Sequence, residues 1–236
     1  MNKRVVLAGL LAPAVFLCAL ASARAAETTI GLTLNATIGT HAEAGGSVRL
    51  PIVPVPMVTL DHREGRFALH LEGVPPIGPV ALSNGDATKL SLLDGAVRYA
   101  IAPHAWAGIG ETIFNQRTTY PGNETQASRV VGGRYELGAT LWRSGGRQLD
   151  AQVTATPSMH GAITDVFTFS VGPPLTATGS ERASLVDAQA AWSATRGRST
   201  LSAGIRWINY SARFGDGSTA DQNRILTPFV GWATRI

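Results

Sequence analysis

Cysteine is almost absent from this chain: Cys18 is the only one of 236 residues, and it sits in an apolar N-terminal stretch. A single thiol excludes an internal disulfide framework and a thiolate metal cluster. Phe16 and Leu17 precede Cys18 where a lipoprotein carries a small residue, which argues against lipid attachment. Charge is sparse too, at 15% of residues, and aromatics make up 7%. Beyond the first twenty-five or so positions no apolar run approaches the ~20 residues that a membrane-crossing helix needs.

The N-terminal stretch has the layout of a secretory leader. Lys3 and Arg4 give a basic start, Val5 to Leu20 an apolar run broken by Gly9 and Pro13, and Ala23-Arg24-Ala25 a small-x-small cleavage pattern. Cleavage is expected after Ala25, leaving residues 26–236 without cysteine. Loss of Lys3, Arg4 and Arg24 reduces the 20 basic residues to 17 against 16 acidic ones, a net charge of +1. The pI near 9.7 of the whole chain therefore overstates its basicity, and no nucleic-acid partner is expected.

Past the leader, apolar and polar residues alternate at period two, the pattern of strands rather than helices. In Ala183–Thr195, Val186, Ala188, Ala190 and Trp192 alternate with Asp187, Gln189, Ala191 and Ser193. Thr195 to Arg198 forms a short turn, and in Ser199–Phe214 Leu201, Ala203, Ile205 and Trp207 alternate with Ser202, Gly204 and Arg206. Asn223–Ile236 places Leu226, Val230, Trp232 and Ile236 on one face. Further strands are expected over Thr88–Ala102, Ala105–Tyr120, Thr125–Trp142 and Arg147–Thr156, with tight turns at Pro103-His104 and Arg143–Gly146. Thr28–Thr40, Ser47–Leu60 and Arg66–Leu82 complete a set of ten. Pro51, Pro54, Pro56, Pro75, Pro76 and Pro79 lack ladder donors, so eight strands is the alternative. Segment 157–182 reads as a long loop; its Ile163, Val166, Phe167, Phe169 and Val171 predict a cap over one end.

These features resemble the small outer-membrane β-barrel proteins of double-membraned bacteria. The resemblance implies a single all-β, antiparallel, up-and-down transmembrane barrel over residues 26–236, with short periplasmic turns, longer outer loops and both ends periplasmic. It implies a bacterial outer-membrane location, with the periplasm as the alternative. Outer-membrane lipid and the export and barrel-assembly machinery are then the partners. Such proteins commonly end in an aromatic residue; Ile236 departs from that pattern, while Val230 and Trp232 keep the alternation.

Alternation assigns His70, Glu72, Asp94, Arg98, Arg134, Glu136, Asp150, Gln152, Asp187, Gln189 and Arg206 to the barrel interior. Tyr135, Leu137, Leu141, Val153, Trp192 and Ile205 fall on the opposite face. The inward charges either satisfy one another as a plug or line a narrow path for a small solute. A structural or passive-pore role is the expectation. Trp106, Trp142, Trp192, Trp207 and Trp232 fall mostly near expected strand ends, which suits an aromatic girdle, although simple alternation puts Trp106 and Trp142 inside.

Two other function classes stay open. Ser158, His160 and Asp165 would serve a rim-sited hydrolase if they converged in space. A soluble ligand-binding barrel of lipocalin type would reverse the faces, with Arg134 and Glu136 outside and Tyr135 and Leu137 within. His41, His62, His70, His104 and His160 are scattered, and only His41 with Glu43 and His70 with Glu72 share a face with an acid, which is too few ligands for a metal site. The chain has no P-loop, dinucleotide glycine motif or calcium loop, and no cofactor is expected.

Overall fold

The computed structural model describes residues 26–43, 46–75, 80–82 and 84–236; the leader, its cut, Pro76 and Pro79 lie outside the described residues. The strands in chain order are β1 (Glu27–Ala36), β2 (Ile38–Glu43), β3 (Gly46–Leu50), β4 (Pro54–Glu64), β5 (Phe67–Val74), β6 (Val80–Ala81) and β7 (Ala87–Ala102). They continue as β8 (Ala105–Tyr120), β9 (Glu124–Ser144), β10 (Arg147–Phe167), β11 (Leu175–Arg196), β12 (Ser199–Phe214) and β13 (Thr219–Arg235). Each long strand pairs antiparallel with its neighbours in sequence, and β1 closes the ring on β13 from Thr29 opposite Arg235 to Asn35 opposite Phe229. The result is an up-and-down barrel of ten staves. Closure pairs the long staves on both sides, while the short β3 and β6 each pair on one side only among the described residues.

The prolines divide staves without removing them. β1 and β2 form one stave that breaks at Thr37, and β3 and β4 another that breaks at residues 51–53. The Thr37 hydroxyl bridges the gap, accepting from Val53 N at 3.2 Å and donating to Pro51 O at 3.0 Å. Pro54 and Pro56 pair with β1, whereas β5 joins β4 only from Val58 onward. Their missing donors therefore cost no ladder bond on that side.

Connections at one end are two-residue turns at 65–66, 103–104, 145–146 and 197–198. Gly145 and Gly146 have φ of 55° and 78°. This left-handed pair is what a tight hairpin between right-twisted strands requires. The first residues of β1 and the last of β13 lie at this turn end, and the links 121–123, 168–174 and 215–218 lie at the opposite, loop end.

Segment 157–182 is not a loop. β10 runs on to Phe167 and β11 starts at Leu175, so only residues 168–174 connect them. Pro157 reads as a breaker, but a bulge between Thr156 and Met159 absorbs it and shifts the later side chains by one position. Ile163 is buried inside the barrel, while Phe169 and Val171 are exposed and cap nothing.

The outward face carries an apolar belt that includes Leu93, Val97, Ile109, Leu137, Val153, Ile205 and Val230. Trp142, Trp192 and Trp232 border it at the turn end, and Trp207 lies towards its far border. A closed barrel that exposes such side chains outward while burying arginine inside has hydrocarbon as its outer solvent. Arg134 is 1% exposed and Tyr135 56%, which is the reverse of a soluble ligand-binding barrel.

One residue breaks the belt. Glu111 is exposed outward, opposite Gly95 on β7 and Gly133 on β9, with no ion-pair partner among the described residues. Replacing Glu111 by leucine is expected to stabilise the barrel by about 1–2 kcal/mol, because lipid-facing charge is unfavourable at this depth. Urea unfolding in lipid vesicles measures the gain. An unchanged or lower midpoint would place Glu111 outside hydrocarbon.

Candidate functional site

The lumen is layered from the turn end to the loop end. First comes an open vestibule of about 540 Å³, bounded by residues including Thr29, Thr59, Arg98, Trp106, Gln152 and Gln189. Gln152 faces Gln189 across β10 and β11. Asp150 lines the same space and accepts from Thr140 Oγ1 and Gln148 Nε2, each at 2.7 Å. Trp106 does point inward, and its ring lies flat on Gly138, where a Cβ would come within 2.3 Å of it. The Arg98 guanidinium stacks on that ring at 4.2 Å. Trp142, by contrast, is turned outward by a bulge opposite Leu149 and Asp150.

Next comes a layer of ion pairs. Arg134 Nη1 lies 2.7 Å from Asp94 Oδ2, and its Nε bonds Glu136. The other Glu136 oxygen accepts from Arg98 Nε at 2.6 Å. Asp94 also accepts from the Thr112 hydroxyl at 2.6 Å, which lies 3.1 Å from the Thr156 hydroxyl. Arg98 reaches Asp61 at 3.6 Å, and Asp61 holds His70 Nδ1 at 2.8 Å. A second group centres on Arg206, whose Nε donates to Asp187 at 2.6 Å and whose Nη2 donates to Glu72 at 2.8 Å. Arg206 Nη1 adds a contact to Met57 Sδ at 3.1 Å.

The eleven residues assigned to the interior from alternation thus occur in two settings. Asp94, Arg98, Arg134, Glu136, Asp187, Arg206, Glu72 and His70 meet in the ion-pair layer. Asp150, Gln152 and Gln189 stand in the vestibule. Asp61 and Thr112 belong to the same network, although sequence reasoning ended the second strand at Leu60. Continuing the alternation Thr59, Asp61 would have found Asp61.

Above the charges the lumen turns apolar. Phe114, Val130, Met159, Leu185, Tyr210 and Ala212 pack together, with Phe114 and Tyr210 rings 4.5 Å apart. Alternation points to a polar, charged interior, and this apolar layer adds to it. At the loop end, polar groups return. His41 Nδ1 lies 2.8 Å from Asn223 Oδ1 and 3.1 Å from Asp221 Oδ1, and Ser128 donates to Glu181. Burial raises the Glu181 carboxyl above the ordinary range; the Ser128 bond opposes this, and nearby Asp221 adds to it.

The remaining candidates do not assemble. Ser158 Oγ and His160 Nε2 are 2.9 Å apart on the exposed outer face. Asp165 follows the bulge onto the inward side with Met159 and Ile163, away from His160, so it does not orient the histidine. His70 and Glu72 are engaged by Asp61 and Arg206. Among the described residues no three His, Asp or Glu side chains are grouped to hold a metal ion.

A closed barrel with an apolar outside and an ion-paired interior is of the outer-membrane type. No known protein family matches the sequence, and no curated protein does. Among solved structures the chain is similar to the outer-membrane protease OmpT from Escherichia coli, with a TM-score of 0.61 at 9% identity over 89% of this chain and 97% of that one. Weaker likenesses include the toluene transporter TodX from Pseudomonas putida (TM-score 0.36, 10% identity, 92% and 91% covered) and Neisserial surface protein A (0.36, 8%, 90% and 100%). At 9% identity the likeness to the protease is one of fold.

Proposed function

We propose that this chain is a bacterial outer-membrane barrel whose lumen is sealed, a structural membrane element rather than a passive pore. The observation that carries the reading is Arg134, wholly enclosed in mid-barrel by Asp94, Glu136 and Thr154. A guanidinium held this way supports a closed lumen at its level, and the Phe114–Met159 layer above it supports the same reading. Ten staves enclose only slightly more room than eight, whose interiors side chains fill. In this reading residues 1–25 direct export and the barrel-assembly machinery inserts residues 26–236. The turn end then faces the periplasm, and lipid surrounds the belt.

Two measurements test it. Folded protein in detergent should migrate differently on a denaturing gel before and after boiling, as closed membrane barrels do; a chain that folds without detergent and shows no shift would overturn the membrane assignment. In planar lipid bilayers the protein should give no discrete current steps in concentrated potassium chloride. Reproducible steps would overturn the seal and return the narrow pore, with the vestibule as its periplasmic mouth.

A further inference from the structure

On three staves the outward side chains keep one order from the belt towards the loop end: apolar, then small polar, then basic. β12 gives Trp207, Asn209, Ser211 and Arg213; β7 gives Leu93, Ser91 and Lys89; β8 gives Ile113, Asn115 and Arg117. Arg129, Arg182 and Arg224 stand at the corresponding place on β9, β11 and β13, all exposed. Among the described residues none of these six has an ion-pair partner, and no outward carboxylate shares their level. Unpaired cations grouped at one end of β7–β9 and β11–β13 require anions from elsewhere.

The surface deepens at one place among these cations. Lys89 lies directly opposite Arg117 across β7 and β8, and Arg129 lies opposite Asn115 across β8 and β9. These side chains enclose a cleft of about 440 Å³ whose wall includes the small residues Ser91, Ala127 and Ala162. Asn115 donates to Ser91 Oγ at 3.2 Å, which fixes an amide beside the three cations. A recess floored by small residues and rimmed by guanidinium forks matches phosphate oxygens, which arginine binds bidentately.

We propose that this cleft binds the phosphate of an anionic glycolipid in the outer leaflet, the acyl chains lying down the apolar belt beneath it. Its level selects the source. The cleft begins where the belt ends, so its facing medium is the headgroup layer, where anionic lipid attracts basic side chains. The proposal rests on the membrane reading above, and the gel shift separates failure of that reading from failure of this one.

The test is binding of a bisphosphorylated, hexa-acylated glucosamine disaccharide to the purified protein in neutral detergent, read by native mass spectrometry. Wild type should retain one molecule, and the dephosphorylated analogue should bind at least tenfold more weakly. The variant Lys89→Gln/Arg117→Gln/Arg129→Gln should lose at least tenfold in affinity while keeping the heat-dependent gel shift. Arg182→Gln/Arg213→Gln, outside the cleft, should lose less than threefold. Should the triple variant fail to fold, Arg117→Gln alone should still lose at least threefold. Equal binding by wild type and folded variant, or equal binding of the phosphate-free lipid, would overturn the site. Displacement by millimolar inorganic phosphate would make it a soluble-anion site and overturn the lipid assignment.

Discussion

Replacing Arg134 by methionine is expected to destabilise the barrel by about 3–5 kcal/mol, the usual cost of removing one partner from a buried ion pair. Methionine fills much of the space, so the loss comes from charge and not from volume. Glu136 would keep Arg98 at 2.6 Å, but Asp94 would retain only the Thr112 hydroxyl. Asp94 is wholly buried, and a carboxylate there without a cation must be protonated or expel the surrounding structure. Adding Asp94→Asn should therefore recover much of the deficit, a coupling of about 2 kcal/mol or more for residues in direct contact. Urea titration in detergent micelles, read by tryptophan fluorescence, measures both variants. A single variant within about 1 kcal/mol of wild type would mean that water reaches the layer, contrary to the enclosure of its side chains.

The same layer separates what alternation could and could not reveal. Period two depends only on the pleat, so counting alone puts Arg134 and Glu136 inside and Tyr135 and Leu137 outside. Counting fails where the pleat is interrupted. Leu141 is unpaired in β9, and this bulge carries Trp142 outward when simple alternation points it in. Two residues of β10 oppose one of β11 near Pro157, so Met159 points inward while Ser158 and His160 point out. A bulge leaves little trace in a sequence, because an extra residue and a strand end look alike.

Partner choice was less legible than face. Alternation puts Arg98, Arg134 and Arg206 among inward groups but cannot say that Arg206 meets Glu72 from a distant strand while Arg134 meets Asp94 and Glu136. That depends on stagger around the ring, a property of closure and not of any one strand. The apolar upper layer was hidden for a related reason. Phe114, Met159 and Leu185 come from three strands whose inward neighbours (Thr112 and Gln116, Gly161, Ala183 and Asp187) are polar or small, so no single strand's inward face looks like a core.

That upper layer supplies the second large effect. Truncating Phe114 to alanine is expected to cost about 3–5 kcal/mol, since it removes a buried ring and leaves a cavity that rigid staves cannot close. Tyr210, now 4.5 Å from the ring centroid, would lose its packing partner. Yet the variant should remain electrically silent in planar bilayers. The cavity lies above Arg134, and the pairs to Asp94 and Glu136 stay in place beneath it. Arg134→Met leaves the opposite arrangement, an intact apolar layer over a discharged one, and should be silent as well. Two unlike barriers in series thus make the seal tolerant of losing either. Current from Phe114→Ala alone would locate the whole barrier in the apolar layer and leave the buried charges with a purely structural role.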